Sequence, residues 1–119
     1  YVHHLQIVME LLPDGDLFDK VVGDKVNADG NLYTTESVFS QLVDGVEYMH
    51  GKHVTHRDLK LANVFRHDAK GIVKIGDFGF ATSFKPDEAT LSDEHGTIQY
   101  KSPELYKCQG QGIKYKGPE

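Results

Sequence analysis

A group of polar residues that could bind metal ions and accept protons lies near the middle of the chain. Asp58, Lys60 and Asn63 occur close together, and Asp77 follows Asp58 by nineteen residues. Carboxylate and amide oxygens are the ligands that hard cations such as Mg²⁺ prefer. A carboxylate can also accept the proton of a hydroxyl group. These residue types therefore suit chemistry on an anionic group that a metal ion neutralises.

The segments that carry these residues resemble a known family. His-Arg-Asp-Leu-Lys-Leu-Ala-Asn at 56–63 is followed by Asp-Phe-Gly at 77–79, Gly-Thr-Ile-Gln-Tyr at 96–100 and Ser-Pro-Glu at 102–104. In this order they resemble the catalytic loop, the metal-binding triplet and the end of the activation segment of eukaryotic-type protein kinases. The catalytic-loop motif alone fixes six positions, so a chance match at one start is on the order of one in ten million.

The resemblance implies a role for each polar residue. Asp58 would be the base that accepts the hydrogen bond of the substrate hydroxyl, and Lys60 would meet the transferred phosphate. Asn63 and Asp77 would hold Mg²⁺ between the phosphates of ATP, and Thr97 would bridge Asp58 and Lys60. Because Asp-Leu-Lys and Gly-Thr are typical of Ser/Thr kinases, the implied partner is a protein substrate with a serine or threonine acceptor.

The beginning of the chain resembles the adenosine pocket of the same family. Met9 would be the gatekeeper, and the Glu10 carbonyl and the Leu12 backbone would face adenine. Phe65 would form the floor beneath the adenine ring. Asp16 has two open interpretations, as a ribose contact or as the N-cap of a short helix. Leu-Phe-Asp at 17–19 is reminiscent of calmodulin-dependent-like kinases.

Three further residues have implied regulatory or structural roles. In kinases that carry an Arg before the base, here Arg57, an anion in the activation segment orders that segment. Asp93 occupies the usual phosphothreonine position, four residues before Thr97, so a built-in carboxylate could replace the phosphate in part. Glu104 would normally pair with an arginine on helices that follow it in the family.

The elements that must position these residues follow from hydrophobic patterning. Leu5–Leu12 is an apolar run that predicts a buried strand, and 16–22 predicts a short helix. Apolar residues at spacings of three and four predict a helix over 34–50, with hydroxyl caps at Thr34 and Thr35. The apolar segments 64–65 and 72–75 predict a hairpin, and 81–100 has no period.

These predictions together give an α+β class and a partial kinase-like bilobal fold. Residues 1–13 would be the last strand of the small lobe and the hinge, and 14–119 would belong to the large lobe. The chain begins inside a predicted strand and contains no Gly-x-Gly-x-x-Gly loop. We therefore expect a fragment of a kinase domain that is inactive by itself.

The composition argues against several other classes of function. Lys and Arg total 13 against 18 Asp and Glu, and a net charge of −5 argues against binding to nucleic-acid phosphates. The longest apolar runs are too short to cross a membrane. One cysteine, Cys108, cannot form an internal disulfide, so we expect an intracellular protein, cytoplasmic and/or nuclear.

Two alternatives stay open. Residues 27–36 match positions 3 to 12 of an EF-hand loop, with Gly30 at position 6 and Glu36 at position 12. Position 1 is Lys25, whose ammonium would repel Ca²⁺, and Asp24 lies one residue out of register. The other alternative is a non-catalytic, kinase-derived fragment that only binds partners.

Overall fold

The computed structural model describes residues 4–23, 34–85, 90–91, 95–108 and 115–116. The helices within these ranges are α1 (Leu17–Gly23), α2 (Thr35–Gly51) and α3 (Pro103–Cys108). The strands are β1 (Val54–Thr55), β2 (Val64–His67), β3 (Ile72–Ile75), β4 (Thr82–Ser83), β5 (Thr90–Leu91) and β6 (Tyr115–Lys116). Single 3₁₀ turns cover Leu61–Asn63, Asp68–Lys70, Phe78–Phe80 and Ile98–Tyr100. These elements confirm the predicted α+β class.

Helix α2 begins where the sequence predicts. The Thr34 hydroxyl accepts a hydrogen bond from the Ser37 amide at 3.1 Å, which satisfies one of the free N–H groups of the first turn. Glu36 lies in that turn, where a carboxylate is favoured by the helix dipole. The helix ends at Gly51, close to the predicted end.

Only part of the apolar stripe of α2 is covered. Met49 is buried, and Val38 and Leu42 pack against the core. Phe39 is 67% exposed and Val43 is 45% exposed. The apolar stripe of α2 is therefore wider than the part of it that the described residues bury.

The predicted hairpin is present as β2 and β3. The strands pair antiparallel, with Val64 opposite Ile75 and His67 opposite Ile72. Gly71 closes the turn at a φ of +62°, a left-handed conformation that favours glycine. Side-chain hydrogen bonds from Gln41 on α2 join the helix to this hairpin.

The core lies where α1, α2 and the hairpin meet. Its buried residues are Leu17, Val64 and Val73. Beyond it, β1 pairs antiparallel with β4, and β5 pairs antiparallel with β6. The pairing of β1 with β4 brings the segment after Asp77 back to the start of the loop that carries Asp58.

The prediction of a buried strand at Leu5–Leu12 is wrong for the described structure. Residues 4–12 belong to no strand, and Leu5 and Val8 are 88% and 96% exposed. A strand requires a neighbour that accepts its backbone hydrogen bonds. No described residue provides such a neighbouring strand for residues 4–12, and most of the apolar side chains of this segment are exposed.

Other predictions fall partly outside the description. Residues 24–33, which include most of the calcium-loop alternative, are not among the described residues. Within the described ranges, none of the helices combines the length and the apolar character that a membrane span needs.

Candidate active site

His56 anchors the loop that carries the polar residues. It is 1% exposed, and its Nδ1 accepts a hydrogen bond from the Asp58 amide at 3.2 Å. Nε2 therefore carries the proton and donates to the Gly76 carbonyl at 2.8 Å. The Phe78 ring packs edge-on against the imidazole, with 5.0 Å between ring centroids. One histidine thus fixes the loop relative to the segment that carries Asp77.

Asp58 lies at the centre of a dense hydrogen-bond network. Its Oδ1 accepts from the Thr97 hydroxyl at 2.6 Å and from the Thr97 amide at 2.8 Å. Its Oδ2 lies 3.0 Å from Lys60 Nζ and accepts from Asn63 Nδ2 at 3.1 Å. Lys60 Nζ also donates to the Thr97 hydroxyl at 2.7 Å. The structure therefore brings Asp58, Lys60, Asn63 and Thr97 together.

These contacts decide the charge of Asp58. Burial alone would raise the pKa of the carboxyl group, which is 5% exposed. Hydrogen bonds from Thr97, Lys60 and Asn63 outweigh burial and lower the pKa from 3.8 to about 2. Asp58 is consequently a carboxylate at every pH at which enzymes ordinarily work.

The lowered pKa predicts a specific dependence of stability on pH. The folded state holds the proton of Asp58 less tightly than the unfolded chain does, so the carboxylate stabilises the fold above about pH 4. That contribution, about 2 kcal/mol, should be lost as the pH falls from about 4 to 2. We expect the free energy of unfolding, measured by urea titration, to fall less steeply over this range in Asp58→Asn than in the wild type. Parallel curves would contradict the assignment.

Asn63 and Asp77 have the donor atoms that a magnesium ion requires. Both side-chain hydrogen bonds of Asn63 use Nδ2, to the carbonyl and the carboxylate of Asp58, which leaves the amide oxygen for a ligand. The Gly76 amide donates to the Asn63 carbonyl at 2.8 Å, and the exposed Asp77 is the next residue along the chain after Gly76. An amide oxygen and a carboxylate fit Mg²⁺.

The same two residues do not form a complete protein site for a metal. Among the described residues, no group of three or more His, Cys, Asp or Glu side chains could hold an ion. Magnesium typically keeps water and substrate phosphates among its ligands. Asn63 and Asp77 would supply two of the ligands of such an ion.

Gly96 allows the segment that carries Thr97 to approach the loop at 56–63. Its φ is +108°, and a Cβ atom built on it would lie 2.6 Å from the Arg57 carbonyl oxygen. Real Cβ atoms essentially never come that close to backbone. Glycine is thus required immediately before the residue that bonds Asp58, a requirement that sequence reasoning did not identify.

An open cavity of about 220 Å³ lies between the end of α2, the catalytic loop and the segment 96–105. Asp58 and Thr97 are on its wall, together with apolar atoms of Leu59 and Leu105. Asp58 therefore borders an open cavity although its side chain is buried.

The structure describes only some of the residues with predicted regulatory roles. Arg57 has a φ of +66°, and its Nε donates to the Phe80 carbonyl at 2.5 Å. Asp93 lies outside the described residues, and Glu104 lies in α3 with its side chain undescribed. The pairing of Arg57 with Asp93 and the role of Glu104 stay predictions.

The residues predicted to face adenosine lie less close together than those around Asp58. Met9 is 80% exposed and Leu12 half-buried, while the Glu10 carboxylate pairs with Lys74 Nζ at 2.5 Å. Asp16 Oδ1 accepts from the Asp19 amide at 2.8 Å, so the carboxylate caps α1 through one oxygen. This contact confirms the N-cap interpretation, and because the cap uses one of the two oxygens, the ribose contact stays a prediction. Neither Met9 nor Leu12 lines the cavity described above.

Phe65 and Asp16 are nevertheless neighbours. They form an isolated antiparallel bridge between the turn at 13–16 and β2. The Phe65 ring packs so closely on Gly76 that an added Cβ atom would lie 2.6 Å from it. Of the predicted adenosine contacts, the structure therefore places these two side by side.

Comparison with known proteins agrees with this geometry. The sequence profile of the protein kinase domain matches residues 2–116. CBL-interacting serine/threonine-protein kinase 1 of Arabidopsis thaliana is 41% identical over 111 residues, which are 89% of this chain and 23% of that protein. Serine/threonine-protein kinase CHK1 of Mycosarcoma maydis is 39% identical over 119 residues, 98% of this chain and 17% of that protein.

A third relative belongs to the same class. SNF-related serine/threonine-protein kinase of Homo sapiens is 36% identical over 101 residues, 85% of this chain and 13% of that protein. The chain thus spans less than a quarter of the length of each of these relatives. All three names contain the words serine/threonine-protein kinase.

Proposed function

The chain belongs to the protein kinase domain family, and on that premise we propose that the whole kinase, meaning the polypeptide that carries this sequence, transfers the γ-phosphate of ATP to serine or threonine side chains of proteins. The observation that carries the proposal is the contact set of Asp58. Its carboxylate is held by Thr97, Lys60 and Asn63 at 2.6 to 3.1 Å. Such a fixed, ionised carboxylate can orient an acceptor hydroxyl.

The low pKa of Asp58, about 2, defines how it acts. A carboxylate of that pKa is a weak base, so it first accepts a hydrogen bond from the substrate hydroxyl and so aims the oxygen at the γ-phosphorus. As the new P–O bond forms and the bond to the β-phosphate oxygen breaks, the hydroxyl proton becomes acidic and passes to Asp58. ADP leaves with the electron pair of the broken bond.

Lys60 is suited to meet the transferred group. Its Nζ bonds both Asp58 and Thr97, at 3.0 and 2.7 Å, and the side chain is 24% exposed. An ammonium group held at this position can neutralise charge that develops on the phosphoryl oxygens. Thr97 keeps Lys60 and Asp58 in register because one hydroxyl bonds both.

Asn63 Oδ1 and the Asp77 carboxylate are the groups that would hold magnesium. When bound, Mg²⁺ supplies charge neutralisation for the phosphates of ATP. Asn63 also orients Asp58 through Nδ2, so one side chain would connect the metal site to the base. Phe65 and Asp16 would receive adenine and ribose.

The acceptor class is tested by comparing two peptides that differ only in the acceptor residue. With γ-labelled ATP and Mg²⁺, we expect the whole kinase to label the serine peptide and not the tyrosine peptide. Addition of a chelator should abolish the labelling. Equal labelling of the tyrosine peptide, or labelling that persists without divalent metal, would contradict the proposal.

The isolated 119-residue chain should not turn over. The family also uses a Gly-rich loop over the phosphates and a strand lysine, and this sequence contains no Gly-x-Gly-x-x-Gly. We expect weak ATP binding at most, measured by calorimetry, and no transfer above background where the whole kinase is active. Transfer by this chain that disappears in Asp58→Asn would refute the expectation.

A further inference from the structure

A buried arginine lies beside the predicted adenosine contacts and has no part in the chemistry described above. Arg66 follows Phe65 on β2 and is only 8% exposed. An arginine is rarely buried unless its N–H groups are paired. Its position in the apolar strand Val-Phe-Arg-His therefore requires an explanation.

Arg66 bonds the turn at 13–16 through its side chain and its backbone amide. Its Nε donates to the Asp16 carbonyl at 3.0 Å, and Nη2 donates to the Asp14 carbonyl. Its backbone amide donates to the Gly15 carbonyl at 2.9 Å. One residue thus binds the carbonyls of three successive residues of the turn.

Asp68 also binds the Arg66 guanidinium. Its carboxylate oxygens accept from Arg66 Nη1 at 2.7 and 2.8 Å. The Asp68 amide in turn donates to the Asp14 carboxylate at 2.7 Å. Because a guanidinium is planar and presents its donors as a rigid fork, these contacts determine the orientation of the turn and not only its distance from β2.

We infer that Arg66 is a positioning residue for ATP, which holds the turn at 13–16 against β2 so that Asp16 and Phe65 stay in register as the ribose and adenine contacts. The inference rests on the proposed function, since it assigns Arg66 to the nucleotide site of the same enzyme. The bridge between Asp16 and Phe65 lies directly beside Arg66. Loosening the turn would therefore separate the two contacts while leaving Asp58 and Lys60 in place.

The test separates nucleotide binding from general stability. In the whole kinase, Arg66→Leu should raise KM for ATP about tenfold, the factor expected when hydrogen bonds from a charged donor are lost. We expect kcat to change much less. Arg66→Lys keeps the charge without the fork, so it should recover only part of the affinity.

Gln41→Ala is the matched control. Gln41 bonds the opposite side of the same hairpin, through the Gly71 carbonyl and the Val73 amide at 3.1 and 2.9 Å. It does not touch the turn at 13–16 in the described contacts. This variant should lower the melting temperature as Arg66→Leu does, yet leave KM for ATP unchanged. An unchanged KM in Arg66→Leu, or an equal rise in both variants, would overturn the inference.

A second measurement keeps the inference separate from the proposed function. If the wild-type kinase transferred no phosphate, the proposed function would fail, but amide hydrogen exchange would still report on the turn. Arg66→Leu should accelerate exchange over residues 14–19 more than Gln41→Ala does. Equal exchange in the two variants over this segment would show that Arg66 does not hold the turn.

Discussion

Asp58→Asn is expected to lower kcat of the whole kinase by about 10²- to 10⁴-fold, the usual contribution of a positioned base. The amide retains the shape of the side chain but has no negative charge and cannot accept the proton. It also presents an N–H group where Thr97 and Lys60 now donate to a carboxylate. KM for ATP should change much less than kcat, because the proposed adenine and ribose contacts, Phe65 and Asp16, are not among the described partners of Asp58.

A matched variant controls for the loss of a carboxylate. Asp44 is an exposed residue of α2 outside the described contacts of the site, so Asp44→Asn should leave kcat and KM at their wild-type values. The measurement is steady-state transfer to a serine peptide at varied ATP concentration. Wild-type kcat in Asp58→Asn would exclude Asp58 as the base.

The second large effect is expected from Gly96→Ala. The methyl group would lie 2.6 Å from the Arg57 carbonyl oxygen, and the residue would have to keep a φ of +108°. A backbone strained in this way costs about 1–3 kcal/mol, and the neighbour here is backbone that cannot rotate away. Thr97 should therefore move off Asp58, and we expect kcat to fall at least about tenfold.

Gly51→Ala provides the control for adding a methyl group to a glycine. Nothing lies within 4 Å of the position where its Cβ would be, and it is the last residue of α2. This substitution should leave phosphate transfer unchanged and should not lower the free energy of unfolding. If Gly96→Ala retained wild-type kcat, the close approach of the two segments would not be needed for activity.

The sequence was most informative where the signal is local. Spacing of apolar residues predicted α2, and the turn residues between 68 and 71 predicted the hairpin, because both elements form contacts among near neighbours. The residues of the catalytic loop were identified because their identities and spacing follow a known family. Their bonding to Thr97 was implied by the same resemblance.

Contacts between segments that are far apart in the chain left no pattern in the sequence. Gly96 is required only because its segment meets the Arg57 carbonyl, and Arg66 is explained only by a turn that lies some fifty residues earlier in the chain. The polar residue within an apolar strand was the one available signal for Arg66. The strand at Leu5–Leu12 was predicted from its apolar run, but strand formation depends on a partner that the run itself does not specify.

The most direct test of the central claim is a crystal structure of the whole kinase with Mg²⁺ and a non-hydrolysable ATP analogue. We expect Mg²⁺ to be bound by Asn63 Oδ1 and the Asp77 carboxylate, with the γ-phosphate within reach of Lys60. We also expect adenine over Phe65 and the ribose beside Asp16. A nucleotide bound at another surface, or a metal ion held without Asn63 and Asp77, would contradict the claim.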